Sequence, residues 1–375
     1  MVYNVVGLMS GSSLDGLDIA FVHLHEIAGK WAYEIKHAAC YEYTHKLMRQ
    51  LRDATHLNIL EYQLLHTSYG HYIGEQINNF IERNNLGHQV DLVVSHGHTT
   101  FHVPGKLMTA QLGDGAAIAA ETKLPVVSDL RALDVAFGGQ GAPIVPIGEN
   151  LLFPDFGYFL NLGGIANISA HTSNTSSVKK IIAFDICPAN RILNMLAEEK
   201  NQLFDEDGKI ASAGKVRVEL LEKLNSLGYY KQAYPKSLYN NFGTDIVYPV
   251  IKSFQINVED AMCTYIEHIV CQIKNSIIDC QLFSSNTSEE GTEQKLLITG
   301  GGAFNTFLIR RLKEILTPLS ITVTIPDTDI INYKEALIMA LIGTLRWREE
   351  YNVLSSVTGA KRNSIGGALW LGTEA

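Results

Sequence analysis

The sequence predicts an α/β protein of about two domains, on three observations. Short apolar runs alternate with stretches of helical periodicity. Several of those runs end on small polar or charged residues, as parallel strands do at the carboxyl edge of an open sheet. A unit of strand, glycine turn and strand occurs twice, at 3–22 and at 159–168. That repeat suggests a duplicated fold with a cleft between its halves.

Bulk properties agree with a folded, two-domain chain. Its 375 residues suit two domains of ordinary size. Their expected extents are 1–130 and 131–356, with 357–375 available to complete the first. The 46% hydrophobic and 18% charged content is that of a globular protein. A formal charge of −9 without a basic block excludes nucleic acid and anionic membrane surfaces as partners. No apolar run approaches the roughly 20 residues of a membrane span. No basic-then-apolar leader opens the chain. Cys40, Cys187, Cys263, Cys271 and Cys280 show no CxxC spacing. They read as buried thiols in a reducing cytoplasm, not as a zinc or disulfide framework.

The elements follow in order. Residues 3–6 and 19–22 are apolar and flank a turn of glycine, serine and aspartate. Residues 60–81 fit a helix with Ile73, Ile77, Phe80 and Ile81 on one face. Leu92, Val93 and Val94 make a short apolar strand ending in Ser95-His96-Gly97-His98-Thr99. A second such strand, 125–127, ends in Ser128-Asp129. The second hairpin follows at 159–168, then an apolar strand at 180–184 ending on Asp185. A helix fits 258–277, with Asn257 as its N-cap. The strand 296–299 leads into three glycines and a helix carrying Leu308, Leu312 and Ile315 on one face. The last long helix is expected over 333–347, opened by a capping box of Asn332 and Glu335. The stretches 172–177 and 284–293 are polar and expected as surface excursions.

Three glycine-rich turns carry candidate chemistry. The first runs Gly11-Ser12-Ser13-Leu14-Asp15-Gly16-Leu17-Asp18. Its glycines let backbone amides approach phosphate oxygens, and its serine hydroxyls donate to them. A carboxylate beside phosphates is repelled unless a divalent cation intervenes, so Asp15 and Asp18 point to Mg²⁺. The same residues also suit a plain hairpin with solvated side chains. The second turn, Asn161-Leu162-Gly163-Gly164-Ile165-Ala166-Asn167, opens amides to an anion or simply closes a two-residue turn. The third, Gly300-Gly301-Gly302, lets backbone pack against a base or ribose at a helix N-terminus that favours negative charge. It has neither the lysine of a Walker loop nor the Rossmann spacing.

Single residues add to these turns. Asp185 at a strand end is a candidate general base with a pKa raised by partial burial, or else a turn cap. Arg131 suits a carboxylate held by two parallel hydrogen bonds, or a surface ion pair. His96 and His98 have no third ligand cluster near them in sequence, which argues against a metal.

Gly7-Leu8-Met9-Ser10-Gly11-Ser12-Ser13-Leu14-Asp15-Gly16 resembles the N-terminal signature of the anhydro-N-acetylmuramic acid kinases, a branch of the sugar kinase and actin superfamily. The family has threonine where this chain has Ser12. The resemblance continues through Ser95-His96-Gly97-His98, where His98 replaces the family's glutamine. It includes Gln111-Leu112-Gly113-Asp114-Gly115, Asp129-Leu130-Arg131-Ala132-Leu133-Asp134 and Gly138-Gly139-Gln140-Gly141-Ala142-Pro143. It extends to Asn161-Leu162-Gly163-Gly164, Pro235-Lys236-Ser237, Gly300-Gly301-Gly302-Ala303 and Ser356-Val357-Thr358-Gly359-Ala360.

That resemblance implies two ribonuclease-H-like (actin-like ATPase) domains flanking a central cleft. It implies a cytoplasmic, ATP- and Mg²⁺-dependent kinase of cell-wall recycling. Such an enzyme opens 1,6-anhydro-N-acetylmuramic acid with water and phosphorylates O6, giving N-acetylmuramate 6-phosphate. The three glycine turns would hold the nucleotide and Asp185 would deprotonate the water. Ser10, His96, Arg131, Asp134 and Glu335 would contact the sugar, with Arg131 on the lactyl carboxylate. A small amino sugar is the expected partner, and a homodimer stays open.

The chain departs from the family at one telling place. The family reads Asp-Thr-Gly-Pro-Gly-Asn, and this chain reads Asp185-Ile186-Cys187-Pro188-Ala189-Asn190. Positive φ is therefore less accessible at 187 and 189. Two other readings stay open, a kinase for a related amino sugar and a nucleotide-binding member with an idle base. The altered turn favours the latter.

Overall fold

The computed structural model describes residues 1–11, 14–172, 180–234, 236–239, 241–283 and 294–372. The chain forms two compact units, Met1–Pro154 with Tyr333–Ala375, and Asp155–Asn332. These limits differ from the expected 130/131 and 356/357. The reason is visible at Gly7, where an added Cβ would lie 2.1 Å from the Ala336 carbonyl oxygen. The first strand rests directly on the last long helix, so that helix joins the first unit.

In the first unit β1 (Val2–Ser10), β2 (Gly16–Ile27) and β3 (Lys30–Glu42) form an antiparallel meander. β4 (Leu92–Val103) runs parallel to β1, β5 (Met108–Leu112) pairs antiparallel with β4, and β6 (Val126–Ser128) is parallel to β4. A short strand, Ala368–Trp370, closes the edge beside β6. In the second unit β7 (Tyr158–Leu162), β8 (Ile165–Thr172) and β9 (Lys180–Pro188) form another meander. β10 (Gln294–Thr299) is parallel to β7, and β11 (Ile321–Thr324) is parallel to β10.

Apart from β5, which hangs off β4, both sheets follow one path, β3-β2-β1-β4-β6 in the first and β9-β8-β7-β10-β11 in the second, with the middle strand of each meander reversed. This is the ribonuclease-H-like arrangement, present twice. Each sheet buries apolar residues under a long helix. Helix Ile59–Arg83 inserts Ile73, Ile77 and Phe80 beside Val6, Ile19 and Val93. Helix Val258–Phe283 inserts Ile266, Ile269 and Ile273 beside Leu160, Ile168 and Ile298. The caps follow from sequence. Asn58 and Glu61 form a capping box, and Asn257 Oδ1 accepts from the Asp260 amide at 2.7 Å.

Three local expectations change. The polar run 95–99 lies inside β4, not at its end, because β4 absorbs one extra residue against β1 and another against β5. Asp185 likewise lies within β9, where Ile186 is the extra residue opposite the Ala166–Asn167 step. The last helix spans Thr328–Trp347, and its cap is Asp327, which accepts from the Ile330 amide at 2.9 Å. Asn332 and Glu335 are therefore helix-interior residues and form no capping box. Most of the polar stretch 172–177, and all of 284–293, lies outside the described residues. Among the described residues no helix is long and apolar enough to cross a membrane.

Candidate active site

The first unit contains a cavity of about 270 Å³ walled by Met9, Ser10, Gly11, His96, His98, Thr99, Arg131, Gly141, Glu335 and Met339. Four of the five expected sugar contacts meet here, Ser10, His96 and Arg131 on three different segments and Glu335 from the last long helix. Arg131 is 9% exposed. Its Nε donates to the Gly141 carbonyl at 2.6 Å and its Nη1 to Thr99 Oγ1 at 2.9 Å, while Nη2 stands 3.4 Å from His102 Nδ1. Every one of these acceptors is neutral. Burial pushes the guanidinium pKa down to about 10, against a smaller opposing pull from Asp134. A buried cation without a paired anion is costly, so an anion entering the cavity would be stabilised beside Arg131.

Asp134 does not line the cavity. It is fully buried, and its oxygens accept from the Gly141 amide at 2.8 Å and from Thr358 Oγ1 at 2.7 Å. A Cβ on Gly139 would come 2.2 Å from Asp134 Oδ2, which explains the glycine. Asp134 thus pins the loop that carries Gly141 against the C-terminal segment and positions Arg131 indirectly. Glu335 is half-buried. Burial lifts its carboxyl pKa, Lys334 opposes this, and Asp18 and Glu149 add to it.

The first glycine turn divides. Ser12 and Ser13 lie outside the described residues. Leu14 adopts φ +60, rare for a non-glycine residue. Leu14 and Leu17 are buried in the core, so only their backbone remains for a ligand. Gly16 is a packing glycine, since its Cβ would lie 2.7 Å from Cys40 Sγ and the Tyr41 carbonyl. Asp15 is exposed and Asp18 half-buried. Burial raises the Asp18 pKa, a hydrogen bond with Cys40 lowers it, and the Asp15 charge raises it again. Cys40 itself is exposed, against the expectation of buried thiols; Cys187, Cys263 and Cys280 are buried.

The other two turns belong to the second unit. A Cβ at Gly163 or Gly164 would meet nothing closer than 3.5 Å. Their carbonyls accept from the Asn190 and Ala189 amides at 3.1 and 2.8 Å. No contact among the described residues demands these glycines, so the space beside the turn is open. Asn161 and Asn167 are half-buried at the same hairpin. Gly300 is different: it has φ +80, and its Cβ would lie 2.4 Å from Asn161 Oδ1. Gly302 is closed by Leu162 at 2.7 Å. Only Gly301 is exposed, so packing on the second hairpin accounts for two of the three glycines.

Asp185 is half-buried and faces a built anchor. Its Oδ2 accepts from the Leu238 amide at 2.9 Å and from Ser237 Oγ at 3.0 Å, and Tyr229 donates to its backbone carbonyl at 2.6 Å. Burial raises its pKa, and the two hydrogen bonds offset part of this. Lys236 sits 5.5 Å over the Phe184 ring and 5.2 Å over Tyr229, which ties the anchoring loop down. The altered turn keeps φ negative at 187 and 189. Ile186, Cys187 and Ala189 are core residues, and Ala189 has φ −126. The expected demand for positive φ at 187 and 189 does not arise.

Sequence reasoning weighed His98 only as a metal ligand and as a departure from the family's glutamine, and did not single out Thr99, Tyr43, Tyr69 or Tyr229. Their roles depend on partners distant along the chain, and no local pattern marks them. Ser237 lay in a recognised segment but had no assigned partner.

Comparisons with known proteins extend over nearly the whole chain. A family model described as anhydro-N-acetylmuramic acid kinase matches residues 3–372. Curated relatives named anhydro-N-acetylmuramic acid kinase include one from Francisella tularensis subsp. novicida, 32% identical and covering 97% of each chain. Another, from Aliivibrio fischeri, is 32% identical over 97% of this chain and 98% of its own. Among solved structures, the activator of 2-hydroxyisocaproyl-CoA dehydratase from Clostridium difficile with bound ADPNP aligns at TM-score 0.45 and 14% identity, over 93% of this chain and 96% of that one. Hexokinase from Schistosoma mansoni complexed with glucose aligns at TM-score 0.39 and 13% identity, over 91% and 85%.

Proposed function

The chain belongs to the anhydro-N-acetylmuramic acid kinase family, and from that premise we propose how its residues divide the family's reaction. The protein is an enzyme, a kinase of cell-wall recycling. In the proposed reaction water attacks C1 of 1,6-anhydro-N-acetylmuramic acid and the C1–O6 bond breaks. O6 takes the γ-phosphoryl group of ATP, which leaves ADP and N-acetylmuramate 6-phosphate. The cytoplasm suits this reaction, because ATP is available there and unpaired thiols stay reduced.

The observation that carries the reading is Arg131, a buried guanidinium held only by neutral acceptors at the wall of a sugar-sized cavity. It takes the lactyl carboxylate in bidentate fashion. Asp185, half-buried with one oxygen anchored, accepts the proton of the attacking water. In the second unit the open Gly163–Gly164 turn and exposed Gly301 offer backbone to phosphate oxygens, and in the first unit the backbone of Gly11 and of 14–18 does so. Asp15 and Asp18 fit a nucleotide-bound Mg²⁺, because burial, and to a smaller degree the Asp15 charge, disfavours the Asp18 carboxylate and a cation offsets both. When bound, the ion neutralises phosphate charge.

ADP release tests the reading with three additions: the anhydro sugar, free N-acetylmuramic acid, and no sugar. Turnover with the anhydro sugar alone is expected. Turnover on another amino sugar instead would favour a related kinase, and none at all an idle base. Arg131→Lys keeps the charge and loses the fork. It is expected to raise KM for the anhydro sugar about tenfold with KM for ATP unchanged, one tenfold step being about 1.4 kcal/mol. Equal changes in both would remove Arg131 from the sugar site.

A further inference from the structure

Two histidines on the cavity wall sit in hydrogen bonds that favour opposite tautomers. Tyr43 donates its hydroxyl proton to Ser10 Oγ at 2.8 Å, and Ser10 Oγ stands 3.1 Å from His98 Nδ1. Ser10 Oγ could accept a second hydrogen bond, but its own proton would then meet no acceptor among the described residues; with Ser10 donating to His98 every hydroxyl proton is used, and Nδ1 accepts. Tyr43, its proton spent, accepts from Tyr69 at 2.6 Å. The His98 proton therefore sits on Nε2. His96 is the reverse. Its Nδ1 lies 2.9 Å from the Gly97 carbonyl, which only accepts, so Nδ1 carries the proton and Nε2 is a lone pair. No described residue hydrogen-bonds either Nε2. Burial keeps both rings neutral, with pKa values pushed down to about 4.

We propose that His96 and His98 act together as a specificity device, one accepting and one donating, that reads a neutral group of the sugar bearing both a donor and an acceptor. An acetamido group and a hydroxyl both have that chemistry. A protonated amine satisfies His96 alone and brings a positive charge toward Arg131, so the wall selects against a free amino sugar. Tyr43 and Tyr69 are positioning residues, since they act by setting the His98 tautomer. This inference rests on the reading of the cavity as the sugar site.

Two measurements on the full chain test it. Long-range ¹H–¹⁵N correlation with labelled histidine is expected to show an Nδ1–H tautomer at His96 and Nε2–H at His98, with a mixture at His98 in Tyr43→Phe. Identical tautomers, or either ring titrating near the ordinary value of about 6.5, would overturn the pair. In kinetics, His98→Phe is expected to raise KM for the anhydro sugar about tenfold with KM for ATP unchanged, and His98→Gln to restore most of it through its amide N–H. No effect of His98→Phe, or no rescue by glutamine, would overturn it. With the de-N-acetylated anhydro sugar, loss of the His98→Phe effect assigns the partner as the acetamido group, and its persistence assigns a hydroxyl; either supports the pair. If the wild-type enzyme fails to turn over the anhydro sugar, the functional reading fails, and the tautomers still decide the device.

Discussion

Asp185→Asn is expected to lower kcat about 10²- to 10⁴-fold while ATP affinity and fold survive. The substitution is nearly isosteric, and the asparagine oxygen still accepts from the Leu238 amide and Ser237. What it loses is the proton acceptor. Stability separates this from a capping role. The folded-state pKa of Asp185 is raised above its ordinary value of 3.8, chiefly by burial. The ionised form is therefore disfavoured in the fold, so its cost grows as pH rises through that value and is fully present at neutral pH. Removing the charge is expected to leave the melting temperature at neutral pH equal or higher. The same pKa predicts that kcat of the wild type falls on acidification through a value above 3.8, as the base is protonated. Substituting Asp15 and Asp18 is expected to act differently, by weakening ATP binding. Near-normal turnover by Asp185→Asn would remove the residue from the chemical step, and a joint loss of turnover and stability would mark it as a cap.

Lys334→Met is expected to destabilise the first unit by about 3–5 kcal/mol, the typical cost of removing one partner from a buried ion pair. Lys334 Nζ donates to Glu149 Oε1 at 2.8 Å, and the two side chains are 5% and 4% exposed. The pair links helix Thr328–Trp347 to helix Pro146–Leu152, from sequence positions 185 apart. Removing the lysine leaves the Glu149 carboxylate buried without that cation. Replacing both residues by apolar side chains of similar volume is expected to recover most of the loss, because the buried Glu149 carboxylate goes with its cation. Denaturant unfolding of the single and double variants checks this. A single variant with a wild-type midpoint would show that other contacts carry the region.

Local physics made much of the fold legible. Alternation and glycine placement mark both hairpins, and the strands they open fall where apolar runs predict. Asn257 caps its helix as its position before the periodic segment requires. The missed helix start has a simple cause. Residues 328–332 are compatible with helix, so Asn332 looked like a cap although Asp327 does the capping. The strands around 95 and 185 run on because a bulge lets polar residues stay in a ladder.

By itself the sequence determined which chemistry is present: three glycine turns, an aspartate near a strand end, one arginine among cleft-like segments, and a family signature. Only the tertiary structure decided which charged groups face a cavity and which are consumed inside. Asp134 is spent on Thr358, 224 positions away, whereas Arg131 three residues earlier keeps its charge toward the cavity. Ser10 gains its meaning from Tyr43 and His98, 33 and 88 positions away. The physical reason is that a strand or helix pattern follows from neighbours along the chain, but a hydrogen bond inside a core pairs whatever side chains the packing brings within about 3 Å. Spacing along the chain carries no record of that encounter.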